Sequence, residues 1–183
     1  MSNFVINPYI VTPPQECATT QAWDDGATSN MSALYAGNDR TIQGGGITTG
    51  SNFIGQNLKI ATFYISKTGS PAGSITSRLY PSAVHGASLG TFIEESDSLS
   101  IGATGDYEFT FSGDNDIAVN NALVIACTFT SSSSSDYINL VAKNYSPDPT
   151  ESSRQYQKET GSGATDTVWE AQDNRNPRFK VCN

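Results

Sequence analysis

The residues able to do chemistry in this sequence are few and scattered. His85, the single histidine, lies in the loop Ser82-Ala83-Val84-His85-Gly86-Ala87, and no G-x-S-x-G elbow accompanies it. A hydrolytic triad therefore has neither its nucleophile turn nor a placed base. One histidine and three separated cysteines lack the ligand spacing of a zinc site. Glu94, Glu95 and Glu108 could supply paired carboxylates for glycoside hydrolysis, but nothing in the sequence ties them together, and Glu108 alternates onto a solvated strand face. These observations predict a non-enzymatic chain with no required cofactor. Calcium is the better chemical candidate, since it takes several oxygen ligands from turns. Asp114-Asn115-Asp116 offers alternate carboxylates, with Asp114 and Asp116 as the candidate ligands, and Asp24-Asp25-Gly26 is a second acidic turn. Neither has the spacing of a full Ca²⁺ loop, and Asp and Asn are ordinary turn formers, so the plain turn reading outweighs the metal.

Stacking on sugar faces is a different chemistry, needing exposed aromatics with polar neighbours. Tyr145, Tyr156 and Trp169 lie in polar, loop-rich surroundings and are the candidate glycan-binding residues. The competing reading, which is favoured, has Tyr156 and Trp169 packing over an open end of the domain. Cys127, in A-L-V-I-A-C-T-F-T, shares a strand face with Leu123, Ile125 and Phe129 and reads as a buried free thiol. Cys17 and Cys182 lie near the two ends of the chain. They are either two unpaired thiols or a disulfide closing a loop of ~165 residues, worth about 5 kcal/mol in the chain-entropy model. Asn30 and Asn144 head N-x-S/T sequons, which matter only on a glycosylating secretory route.

The elements that must position these residues are strands. Leu58 to Ser66 is rich in β-branched and aromatic residues without Gly or Pro, and carries apolar residues on both faces. Lys67 to Gly73 is a turn by composition, and Ile75 to Tyr80 alternates after it. Ser88 to Glu94 reads as a strand through Leu89 and Phe92. Tyr107, Phe109 and Phe111 alternate with Glu108 and Thr110. Ala122 to Thr130 is the most apolar run and should be central, and Tyr137 to Lys143 turns Ile138, Leu140 and Ala142 inward. Short strands follow at 154–159, 167–170 and 178–181. Thr41 to Thr49, with three glycines, reads as a loop or a bulged strand. No sustained 3.6-residue period appears, so little helix is expected. Short strands at this spacing predict an all-β fold, a two-sheet antiparallel β-sandwich of jelly-roll type.

Residues 1–14 are set apart as an extended N-terminal arm, and residues 15–183 as one sandwich domain. Phe4, Val5, Ile6, Tyr9, Ile10 and Val11 make the arm apolar, Pro8 interrupts any ladder, and Pro13-Pro14 stiffens the exit. Such a segment is either a first strand on its own domain or an arm added to a neighbouring subunit's sheet.

Composition bounds the partners. Hydrophobic residues are 37% and charged residues 15%, with 8 Phe, 8 Tyr and 2 Trp. That suits a turn-rich β protein and carries too many aromatics for a disordered chain. A net charge of −8 argues against a nucleic-acid partner. No apolar run reaches the roughly 20 residues of a membrane span. Met1-Ser2-Asn3-Phe4 opens without a basic segment and apolar core, so no secretion signal is expected.

Three stretches carry a family likeness: "IGQ" with "FYISKTGSPAGSITSRLY", then "YEFTFSGDNDIAVNNALVIACTF", then the ending "DNRNPRFKVCN". Together they resemble a β-sandwich module of phage and environmental virion proteins and of choice-of-anchor-type bacterial surface proteins. The resemblance covers about Phe53 to Val181 and implies a jelly-roll-like sandwich at a virion or extracellular surface. It brings no catalytic residues. The expected function is a self-associating structural protein, a decoration, fibre or filament subunit. Its partners would be copies of itself and other virion or cell-surface proteins. The alternative is a glycan-binding adhesin or carbohydrate-binding module.

Overall fold

The computed structural model describes residues 20–23, 29–30, 34, 42–47, 53, 55–81, 88–113, 115, 123–129, 134–144, 155–159, 168–172 and 175–183. The arm residues Phe4 to Val11, together with Cys17, His85, Asp114, Asp116 and Tyr145, lie outside them. The described residues form strands and no helix: β1 (Thr20–Trp23), β2 (Ser29–Asn30), β3 (Ile42–Ile47), β4 (Ile60–Thr68), β5 (Ser74–Tyr80), β6 (Glu94–Glu95), β7 (Leu99–Ser100), β8 (Gly105–Thr110), β9 (Leu123–Phe129), β10 (Tyr137–Asn144), β11 (Gln155–Glu159), β12 (Val168–Gln172), β13 (Arg175–Pro177) and β14 (Phe179–Cys182).

Every pairing is antiparallel, and the strands divide into two sheets. In the first, β4 has β8 along one edge; β14 and β10 share the other, β14 beside Ile60–Phe63 and β10 beside Ile65–Thr68. The strand 175–182 is wedged between them. It pairs with β10 through Arg175–Pro177 and with β4 through Phe179–Cys182. Arg178 makes the crossing, its N–H donating to Val141 O and its carbonyl accepting from Tyr64 N–H. β1 lies outside β14, and β2 outside β10. The second sheet runs β12-β11-β3-β9-β5, with β6 and β7 both on the far edge of β5. The most apolar run, β9, is central, as its composition requires.

Alternation in β4 sends Ala61, Phe63 and Ile65 into the core and leaves Ile60, Thr62 and Tyr64 half-buried. The expectation of two covered faces on this strand is thus corrected. β10 is the covered one, with Ile138, Asn139, Leu140, Val141 and Ala142 all buried. Phe63 sits at the centre, stacked on Phe179 at 5.4 Å and edge-on to Phe109 at 6.2 Å. Both neighbours are its register partners or their diagonals across the ladder. Each such ring contributes roughly 2–3 kcal/mol by burial, and cross-strand aromatic pairing adds to it.

From the second sheet, Ile47, Ile75, Leu79 and Phe129 complete the core. Gly45 faces inward too: a Cβ there would overlap the Phe179 ring and Pro177. The glycine run in β3 is therefore a regular strand rather than a loop, its missing side chain filled by Phe179 from the opposite sheet.

The turn after β4 does not make a hairpin. β4 belongs to the first sheet and β5 to the second, so residues 69–73 carry the chain across the sandwich. Gly69 and Gly73 adopt φ of 69° and 137° there, conformations that favour glycine. Asp136 holds this corner by accepting the Ser70 N–H at 2.7 Å. The strand expected over Ser88 to Glu94 is also corrected. Within this stretch only Glu94–Glu95 forms a strand against β5; Ile93 adds one hydrogen bond, its N–H donating to Leu79 O at 2.7 Å, and Phe92 and Ile93 are 38% and 40% exposed. Leu89 is buried without being part of a strand.

Candidate functional site

Three surface features are built by these sheets. The first is a cation–aromatic cluster at the β5–β6 edge. In β5 the residues Ile75, Ser77 and Leu79 face the core, which turns Arg78 and Tyr80 to the other side. The Arg78 guanidinium lies 4.8 Å from the centre of the Phe92 ring, and its Nε donates to Glu95 Oε2. Tyr80 meets the same ring edge-on at 6.2 Å. Burial pushes the Tyr80 hydroxyl above its ordinary pKa, against the opposing pull of Arg78. Burial also acts to lower the Arg78 pKa, but the hydrogen bonds to Glu95 and Tyr80 outweigh it and leave the value raised. The result is a fixed cation with an exposed apolar shoulder, Phe92 and Ile93, beside it. Sequence reading missed this group, because Phe92 was read only as part of a strand over Ser88 to Glu94.

The second feature is the β11–β12 hairpin at the opposite edge of the same sheet. Tyr156 pairs with Ala171 and Gly44, and Trp169 pairs with Lys158. Two of the three aromatic candidates thus lie on adjacent, paired strands, Trp169 two register positions from Ala171, the partner of Tyr156.

The third feature is a polar clamp between the sheets. Asn115, buried at 3% exposure, accepts the Leu58 N–H at 2.6 Å and donates from Nδ2 to Leu58 O at 2.7 Å. Nδ2 also donates to Glu94 Oε2, and Glu94 Oε1 accepts the Ser112 N–H. Leu58 leads into β4 of the first sheet and Glu94 belongs to β6 of the second, so one side chain bridges both. Asn115 thus has a structural role. Among the described residues no group of three or more His, Cys, Asp or Glu could hold a metal ion. Glu108 is exposed in β8, as its alternation requires.

Cys182 is disulfide-bonded and almost fully buried, which removes the unpaired-thiol alternative for this residue. Among the described residues no helix is long and apolar enough to cross a membrane.

No protein-family profile matches the chain, nor does any curated protein or solved structure.

Proposed function

We propose that this chain is a non-enzymatic structural subunit of a virion or extracellular assembly, and that it self-associates through its N-terminal arm. The observation that carries the reading is strand connectivity. Taken in chain order, β2, β3, β4, β5, β6, β8, β9 and β10 are arranged as β2-β10-β4-β8 in one sheet and β3-β9-β5-β6 in the other. This order supports a jelly-roll reading, in which two Greek keys wrap into facing four-stranded sheets, an architecture used by viral capsid and lectin domains. The step from fold to role is one of analogy. Strands β11 and β12 extend the second sheet beyond β3, while β13 and β14 are inserted between β10 and β4 of the first.

Among the described residues β8 pairs only with β4, and β12 only with β11. Each is an edge at which an apolar arm from a neighbour could add as a further strand. The test is deletion of residues 1–12 followed by sedimentation. A folded, monomeric product with nearly unchanged melting supports arm exchange. A protein that loses many degrees of stability makes the segment a first strand of its own domain and removes the support for assembly through it.

A second reading, a glycan-binding module, is supported by the register of the β11–β12 pair, which sets Tyr156 opposite Ala171 and Trp169 opposite Lys158. Aromatic residues with polar neighbours are the residue types that stack on sugar rings. Glycan-array binding that disappears in Tyr156→Ala and Trp169→Ala would establish this reading, and an array without a hit would dismiss it.

A further inference from the structure

We infer that Arg78, Phe92, Ile93 and Glu95 form a surface on which a second copy of this chain seats, face to face around a two-fold axis. This contact rests on the self-association proposed above and places part of it on the folded domain, apart from the arm.

Phe92 and Ile93 are the two exposed large apolar side chains among the described residues. They are consecutive, and they lie beside the β5–β6 pairing, where Arg78 stands opposite Glu95. Single apolar side chains on a surface are ordinary. Two together, flanked by Arg and Tyr, are the residue types enriched at the centres of protein interfaces. The cation is held in advance of any partner. Its guanidinium lies over the Phe92 ring at 4.8 Å, and its Nε donates to Glu95 Oε2. A group already ordered loses little freedom on binding.

Charge decides which partner fits. The chain carries −8 overall, so two copies repel over most of their approach. This patch is balanced: one cation and one carboxylate, both part-exposed, stand side by side next to the apolar pair. The neighbouring Glu94 carboxylate already accepts from the Ser112 N–H and Asn115 Nδ2. A two-fold axis sets a surface against itself, so that residue i meets j and j meets i. Turned this way, Arg78 of each copy faces Glu95 of the other, and the Phe92–Ile93 shoulders meet between them. A wholly acidic or wholly basic partner would match one of the two charges and be repelled by the other.

Two side chains make a small patch, far short of the ~1,200 Å² that a stable interface buries. The contact therefore acts between copies that the arm holds close, where a raised effective concentration lets a weak interaction count. The arm joins neighbours, and the shoulder fixes how they face.

Sedimentation equilibrium of the full chain tests the contact. Ile93→Ser keeps the backbone bond from the residue 93 N–H to Leu79 O and removes only the apolar group. It should weaken association several-fold with nearly unchanged melting, and Phe92→Ser should do the same. Arg78→Glu and Glu95→Arg each set like charges against one another across the axis, so each variant alone should associate more weakly than the parent. An equimolar mixture of the two should recover association. Every pair across the axis is then opposite in sign, while the pair within each chain stays like-charged, so recovery reports contact between copies. Unchanged association in both serine variants, or a mixture no tighter than its components, overturns the two-fold contact. If deletion of residues 1–12 abolishes association while the serine variants leave it intact, the arm reading stands and this contact falls. If the deletion leaves association intact while the serine variants weaken it, the contact stands and the arm reading falls. A parent protein that sediments as a monomer at every concentration removes self-association and this contact with it.

Discussion

Replacing Asn115 with alanine isolates the clamp that joins the two sheets. The substitution removes the acceptor of the Leu58 N–H and the donor to the Leu58 carbonyl, bonds of 2.6 and 2.7 Å between residues 57 apart in sequence. Leu58 is fully buried, so water does not replace these partners without opening the fold. A buried backbone group left unsatisfied costs about 1–3 kcal/mol, and two of them give ~2–6 kcal/mol. The bond to Glu94 adds little, because that carboxylate is only half-buried and water can replace its partner. A loss of this size is a large share of the roughly 5–15 kcal/mol that holds a domain folded. For a chain of this length, about 3 kcal/mol would lower the melting temperature by roughly 6–12 °C. Urea unfolding followed by tryptophan fluorescence reads it as a lower midpoint at unchanged slope. Asn115→Asp sharpens the test. It keeps one acceptor but loses both donated bonds and sets a second carboxylate against Glu94, so it should also be destabilised. A cost below about 0.5 kcal/mol for Asn115→Ala, within the range of ordinary surface substitutions, or a neutral Asn115→Asp, would show that the amide does not bridge the sheets.

Three further outcomes are expected. Gly45→Val drives a side chain into Phe179 and Pro177; overpacking of this kind costs typically ~1–3 kcal/mol or more, and pairing it with Phe179→Leu should recover part of the loss in a double-mutant cycle. Ser77 is fully buried, and its Oγ has no partner among the described residues, so Ser77→Ala should be neutral or stabilising by up to ~1 kcal/mol; a clear destabilisation would reveal a bond that Oγ makes. Tyr80 holds its proton more tightly folded than unfolded, so its contribution is intact below the unfolded pKa of about 10 and is lost as pH rises through the higher folded value. Denaturation midpoints measured from pH 9 to 11.5 should fall less steeply in Tyr80→Phe than in the parent, and equal slopes would contradict the burial of this hydroxyl.

The class of fold was legible in local sequence, because strand periodicity is a local property. Ile75-Thr76-Ser77-Arg78-Leu79-Tyr80 and Tyr107-Glu108-Phe109 display their buried faces by alternation alone, and the apolarity of 123–129 marks a strand with neighbours on both sides. Composition also disclosed the turn at Gly69 to Gly73, since only a few residues tolerate such backbone angles. Partnership was not legible. The same turn chemistry serves a hairpin or a crossing between sheets, and what sends β5 to the second sheet is its pairing with β9, some fifty residues away. Gly44-Gly45-Gly46 read as a loop or a bulged strand because the atoms that fill the space above Gly45 come from Phe179. Phe92 read as part of a strand because of its apolar surroundings, while the structure sets its ring against Arg78 at the surface. The candidate sites divide the same way. That Tyr156 and Trp169 are aromatic and that Cys182 can pair is written in the residues themselves. That Tyr156 and Trp169 lie on paired strands, and that Cys182 is bonded and buried at the end of β14, follows only from the tertiary structure. Nothing in a strand's own residues specifies its partner, because pairing is set where the sheets close on a common core.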